Sequence, residues 1–352
     1  MQDKKSKPIG LIEGFYGNPW THSERLKFPK YLTELGLNTY LYCPKSDPYL
    51  RKKWREGWPV DDWNHLMAFS FECRKENIFL GIGISPHEIY VSYSHLEKVK
   101  LKEKINRILE LNPGFICVLF DDMRGDFAGI SITQANIAND VHRWSKGTKV
   151  LFCPTYYSFD PVLESIFGQK PIDYHETLGD LLHRDIGVLW TGSRVCSQTI
   201  TYDHVNLVNK IFNRQVTIWD NYSANDGRER SKHLYLKPLP GRETAITDHV
   251  HGHLCNAMSQ SELSLITLSG LAKLHARVSN PETWLEDRFG KRVIEMISRD
   301  LKEFEISGLD ALSEARISEL IEDYTTIDSI ATSQIANRLR GQYKFDPNCL
   351  TD

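Results

Sequence analysis

Residues 115–122 read FICVLFDD, six consecutive apolar residues followed by two carboxylates. A continuous apolar run leaves no wet face. It suits a strand buried on both sides, as in a parallel sheet covered by helices. Working outward from this stretch, the same unit recurs. The short apolar runs are Ile9–Gly14, Asn38–Cys43, Ile78–Ile84, Phe115–Phe120, Lys149–Cys153, Gly187–Thr191, Gln215–Trp219 and His249–Cys255. Between them, Thr21–Leu35, Val60–Asn77, Ser94–Leu111, Ser131–Ser145 and Tyr202–Asn213 carry apolar residues at helical spacing. Thr21 with Glu24 three residues later is a capping box, and Gly36 is a stop. Ala224–Thr247 is charged, contains Pro238 and Pro240, and reads as a long loop, while Ser259–Ala276 closes the eighth repeat. Eight βα units predict an α/β fold, a (β/α)8 TIM barrel over residues 1–280. Beyond Ser279-Asn280-Pro281 the strand-like runs stop. Val293, Ile294, Ile297, Leu301 and Phe304 fall at helical spacing, which predicts two to four helices within a C-terminal helical extension, residues 281–352.

The composition excludes several classes of function. The chain is 41% hydrophobic and 25% charged, the balance of an ordinary globular protein. Its formal net charge of −3 offers no global attraction to nucleic acid or to an acidic membrane. No segment reaches the roughly 18 apolar residues of a membrane span. Lys4-Lys5-Ser6-Lys7 reads as a solvated tail, and too few apolar residues follow it to form a signal-peptide core. The seven cysteines are odd in number and show no CxxC spacing, so they are expected to be free thiols in a reducing, cytoplasmic setting.

Barrel sites form at the C-terminal ends of the strands. The polar residues that follow the apolar runs are therefore the candidates. They include Glu13-Gly14-Phe15-Tyr16-Gly17, Pro44-Lys45-Ser46-Asp47, Asp121-Asp122, Pro154-Thr155-Tyr156-Tyr157, Thr191-Gly192, Asp220-Asn221 with Asn225-Asp226, and Asn256. Two carboxylates directly after a buried strand cost desolvation and mutual repulsion. Their value lies in chemistry that needs one acid and one anion. Trp20, Trp54, Trp58, Trp63, Trp190 and Trp219 make the same half aromatic, as a sugar-stacking surface would be; Trp219, at a strand end, is the best placed. His249, His251 and His253 would share one face if they lay on a strand, a possible metal set. No partner HxH appears at the first strand, so they are read as hydrogen-bonded barrel or interface residues. Gly81-Ile82-Gly83 does not extend to GxGxxG, and there is no P-loop or serine elbow.

Six stretches carry a family resemblance: GLIEGFYGNPW at 10–20, LNTYLYCPK at 37–45, LFDD at 119–122, FCPT at 152–155, VLWTG at 188–192 and WDNYSAND at 219–226. In this order they resemble the β-N-acetylglucosaminidase domain of family-84 glycoside hydrolases, which includes the O-GlcNAcases and the bacterial enzymes once called hyaluronidases. The resemblance runs from about residue 8 to about residue 277. It implies a retaining, substrate-assisted hydrolysis in which the sugar's own acetamido oxygen attacks and forms an oxazoline, an exception to the two-carboxylate scheme. By the same resemblance Asp121 orients the acetamido group, and Asp122 protonates the leaving oxygen and then activates water. Gly14 and Lys45 meet sugar hydroxyls, Tyr157 and Asn221 support the acetamido group, and Trp219 lines its pocket. Asp226 grips the 4- and 6-hydroxyls, and Asn256 binds a hydroxyl. Asn256 is followed by Ala257 where the family pattern has proline, and residues 123–126 also depart from that pattern. No cofactor and no metal are implied. The expected partner is a GlcNAc-bearing protein or glycan, and the C-terminal helices are a candidate surface for a homo-oligomer. Two other readings stay open at this point: a sugar-binding barrel without turnover, and a metal-dependent hydrolase using His249, His251 and His253.

Overall fold

The computed structural model describes residues 7–343 and 345–351; of the tail Lys4-Lys5-Ser6-Lys7 the first three lie outside them, while Lys7 is not a solvated tail residue but donates to the Thr247 carbonyl at 2.7 Å. Eight strands are formed: β1 Ile9–Glu13, β2 Thr39–Tyr42, β3 Phe79–Ile84, β4 Phe115–Leu119, β5 Lys149–Cys153, β6 Ile186–Trp190, β7 Thr217–Asp220 and β8 Gly252–Asn256. They close in chain order into one parallel barrel, with β8 returning to β1 through Ile12 opposite Asn256. Each predicted run contains a strand, displaced by no more than a few residues at either end.

Filling the barrel requires large and small residues to alternate across neighbouring strands. Gly81 on β3 shows this, because a Cβ there would stand 2.1 Å from the Phe115 ring of β4. Outside the barrel, helices Val60–Lys75, His95–Leu109, Ile130–Trp144, Tyr202–Ile211 and Ser264–Leu274 cover the strands. Ser94 and Thr201 cap two of them by accepting from Glu97 and His204 backbone N–H groups.

Three local readings need correction. The Thr21–Glu24 capping box forms in both directions, but its helix is one turn, His22–Arg25, and a second helix runs Phe28–Glu34. Pro29 separates them, since it has no N–H for the Arg25 carbonyl and its ring would crowd that carbonyl. Two helices between β5 and β6, Pro161–Phe167 and Tyr174–Leu181, were not predicted. Each is about two turns long, too short to display a helical repeat in sequence. The third correction concerns the histidines. His249 follows the 3-10 turn Thr244–Asp248, exposed His251 precedes β8, and only His253 lies on the strand. The three therefore do not share one strand face.

After the barrel come helices Pro281–Phe289, Lys291–Leu301, Glu314–Thr325 and Ile330–Leu339, with a π-helical turn at Lys302–Ser307. They dock on the loops that follow β7 and β8. Arg288 pairs with Glu262 at 2.6 Å, Gln334 accepts from the Glu262 N–H at 3.0 Å, and the Leu234 N–H donates to the Phe304 carbonyl at 2.9 Å. The stripe of Val293, Ile297 and Phe304 is buried within this chain.

Candidate active site

At the C-terminal end of the barrel lies a small cavity, open at its mouth and lined by polar and aromatic side chains, the usual setting of a small-molecule site. Gly14, Lys45, Asp121, Asp122, Tyr157, Trp219, Asn221, Asp226 and Asn256 all line it. They arrive from the ends of β1, β2, β4, β5, β7 and β8, so only closure of the barrel can bring them together.

The carboxylate pair meets two environments. Lys45 Nζ forms an ion pair with Asp121 Oδ2 and lies 3.9 Å from Asp122 Oδ2. Burial opposes charge on Lys45, but Asp121 and then Asp122 outweigh it and hold the ammonium above its ordinary value. Asp121 Oδ1 is buried and accepts no hydrogen bond from any described residue. A lone buried acceptor on a residue that lines a cavity is costly to leave unpaired and is suited to a donor on a ligand. The Asp122 backbone is left-handed, at φ 59°, a region that aspartate tolerates better than most residues. Its Oδ2 accepts from the Tyr16 hydroxyl at 2.6 Å, and its Oδ1 faces the Tyr157 hydroxyl at 3.4 Å.

An amide network forms the opposite wall. The Gly14 N–H donates to Asn256 Oδ1 at 3.2 Å, and Asn256 Nδ2 donates to Asn221 Oδ1 at 3.0 Å. Trp219 Nε1 donates to that same oxygen at 2.9 Å, while Asn221 Nδ2 donates to the Val195 carbonyl at 2.9 Å. Both amides thus have fixed orientations. A Cβ at Gly14 would stand 2.8 Å from the Trp219 ring, so the glycine has a packing reason beyond close approach of a ligand. Asp226 is buried, accepts from the Tyr16 backbone N–H at 2.6 Å, and has its carboxyl pushed up to about 6, chiefly by burial.

Other rim candidates turn outward. Glu13 is fully buried, but it pairs with Arg25 at 2.6 and 2.7 Å and accepts from the Tyr40 hydroxyl. Asp47 caps the Tyr49 N–H and accepts from Trp58. Asp220 is held by Arg242 and by His253 Nε2 at 2.9 Å. The Asp220–His253–Cys255 cluster has metal-ligand types within reach of one another, but the Arg242 guanidinium already covers both Asp220 oxygens. Of the tryptophans named, only Trp219 lines the cavity; Trp190, for one, is core, packed against His175, His204 and Phe212.

The sequence reading left several cavity residues without a role. Tyr16 and Thr191 stood in the list of rim residues, and nothing there distinguished them. Cys349 and Thr351 also line the cavity, with the Thr351 hydroxyl 3.4 Å from that of Tyr157. The segment is held by Asp346, which accepts from the Gly17 N–H and donates its own N–H to the Asp226 carbonyl, each at 3.1 Å. No local pattern connects residue 351 with residue 157, so no sequence signal marked it.

Comparison with known proteins adds three findings. A family model described as beta-N-acetylglucosaminidase matches residues 9–304. Proteins named Protein O-GlcNAcase from Rattus norvegicus and Mus musculus are each 33% identical over 273 residues, covering 75% of this chain and 29% of the relative. The chain thus spans less than a third of the length of these curated relatives. A solved structure, a mutant of the Thermobaculum terrenum O-GlcNAc hydrolase, superposes with a TM-score of 0.75 at 28% identity, covering 95% of this chain and 74% of that one.

Proposed function

The chain belongs to the β-N-acetylglucosaminidase family, and from that premise we propose that it hydrolyses terminal β-linked GlcNAc with retention, by substrate-assisted catalysis. The observation that carries the reading is Asp121 Oδ1, a buried acceptor without a partner among the described residues, one residue from a second cavity carboxyl. An acetamido N–H satisfies that acceptor. The carbonyl oxygen of the same acetamido group then points at the anomeric carbon. It attacks there, the bond to the leaving oxygen breaks, and Asp122 gives that oxygen its proton. The products of this step are a free alcohol and an oxazoline in its protonated form, whose N–H stays on the ionised Asp121. Asp122, now ionised, takes a proton from water. The hydroxide adds to the anomeric carbon, the oxazoline opens, and GlcNAc leaves with its original β configuration.

The remaining roles follow the cavity. Lys45 balances the charge of the pair. Tyr157 and Asn221 hold the acetamido group against Trp219, and Asp226 accepts from the 4- and 6-hydroxyls. Gly14 and Asn256 meet a further hydroxyl. The substrate is a GlcNAc conjugate of a protein or a glycan. We assign residues 281–352 to a helical unit that backs the β7 and β8 loops. Self-association of that unit would use outward apolar side chains such as Ile306 and Ile330, 64% and 45% exposed. The seven free cysteines fit a reducing, cytoplasmic setting.

The test is a series of aryl GlcNAc substrates whose acetamido methyl carries increasing fluorine. Rates should fall steeply as fluorine weakens the acetamido nucleophile, and the first product should be the β-anomer. Equal turnover of the matching glucoside, which lacks the acetamido group, would overturn the mechanism. Saturable GlcNAc binding with no turnover would leave a sugar-binding barrel instead.

A further inference from the structure

Arg51 touches neither the cavity nor either aspartate, yet it governs the hydroxyl that does. It sits just after the 3-10 turn Pro48–Leu50, and its Nη1 donates to the Tyr16 hydroxyl at 2.7 Å. Its guanidinium also lies 5.3 Å from the centre of the Tyr16 ring. A phenol oxygen has one proton to give. With an Arg N–H fixed on its lone-pair side, that proton must go elsewhere, and the acceptor in reach is Asp122 Oδ2 at 2.6 Å.

We infer that Arg51 is a positioning residue: by locking Tyr16 as a donor, it decides which oxygen of Asp122 carries the catalytic proton. The groups facing Asp122 from each side agree. Oδ2 meets the Tyr16 hydroxyl and, at 3.9 Å, the Lys45 ammonium. Among the described residues Oδ1 meets the longer contact to Tyr157, at 3.4 Å. Asp121 is the adjacent residue in the chain, and Cys153 and Asp226 both feel the Asp122 charge. A proton on Oδ2 would stand against two donors, so it resides on Oδ1. Without Arg51 the Tyr16 hydroxyl is free to turn round and accept, and the proton can then rest on the wrong oxygen.

The inference rests on the function proposed above, so its test is built to separate the two. Full-length wild type, Asp122→Ala, Arg51→Gln, Arg51→Lys, Tyr16→Phe and the Arg51→Gln/Tyr16→Phe double variant are compared on aryl GlcNAc substrates of graded leaving-group pKa. General acid help is worth about 10² to 10⁴ in rate. Arg51→Gln should forfeit part of it, roughly tenfold or more in kcat for the poorest leaving groups. It should cost far less with acidic phenols and leave KM little changed. Arg51→Lys should recover part of the loss, and the double variant should be no worse than Tyr16→Phe alone. A loss equal across leaving groups, a loss confined to KM, or additive effects of the two changes would overturn the inference. If Asp122→Ala shows leaving-group dependence and Arg51→Gln does not, only the role of Arg51 fails. A wild type with no turnover overturns both readings.

Discussion

Lys45 and Asp121 form an ion pair inside the cavity, their side chains only 4% and 9% exposed. The pair occupies one oxygen of Asp121 and leaves the other without a partner among the described residues. It also makes the two adjacent aspartates inequivalent, because the cation sits closer to Asp121 than to Asp122.

That inequivalence predicts different failures. Asp122→Ala should cripple hydrolysis when the leaving group is an alkyl alcohol and should hurt the first step much less when it is an acidic phenol. Asp121→Ala should depress the rate with every leaving group, because the acetamido nucleophile is then misaligned. General acid–base help of about 10² to 10⁴ makes the contrast measurable. A steeper leaving-group dependence in Asp121→Ala would reverse the two roles.

Asp226 predicts a pH dependence of binding. Burial pushes its carboxyl up to about 6, and only the ionised form is a pure acceptor for sugar hydroxyls. KM should therefore rise as pH falls through about 6, and Asp226→Asn should flatten that limb while binding more weakly at neutral pH. An unchanged limb in the variant would assign the inflection to another group.

The same residue makes a stability prediction. Its folded value lies above the unfolded one, so the folded state holds the proton more tightly, and stability falls as pH rises between about 4 and about 6. Asp226→Asn retains an acceptor for the Tyr16 N–H without a buried charge. It should be more stable than wild type at pH 7, with the gain shrinking toward pH 4 in denaturant titrations. A gain independent of pH would count against this assignment.

Arg242 and Asp220 carry a structural prediction. Burial alone would raise the Asp220 carboxyl, but Arg242, with His253 assisting, outweighs it and holds the group far below the usual carboxylate range. Its folded value is thus depressed, so its contribution is present at neutral pH and is lost only in strong acid. Arg242→Met should strand a buried charge at a cost of about 3–5 kcal/mol. Removing Arg55 from its half-exposed pair with Glu97 should cost under about 1 kcal/mol. Chemical denaturation of both variants checks the contrast.

No step assigned to these residues uses an ion, and His249, His251 and His253 lie on a turn, before a strand and on that strand. Activity should survive a chelator. Loss of activity that zinc restores would revive the metal reading.

The repeat of apolar run and helical segment determined the barrel. Strands buried on both faces and helices with one apolar stripe leave a local periodic signature, so FICVLFDD and its seven counterparts were readable without contacts. The rim followed from chain order, which is why Asp121, Asp122, Lys45 and Asn256 could be named from strand ends, and the family motifs narrowed the choice. Direction was not readable. Glu13 and Asp220 end β1 and β7 and Asp47 follows β2, yet they bind Arg25, Arg242 and Trp58 outside the cavity. Which way a side chain turns at a strand end depends on a partner brought by another segment, and a single aspartate codon carries no record of it. For the same reason the lone acceptor on Asp121, the Arg51–Tyr16 contact and the approach of Thr351 to Tyr157 belong to tertiary structure alone. The two contacts join residues far apart in the chain, and only the closed barrel sets the distances between them.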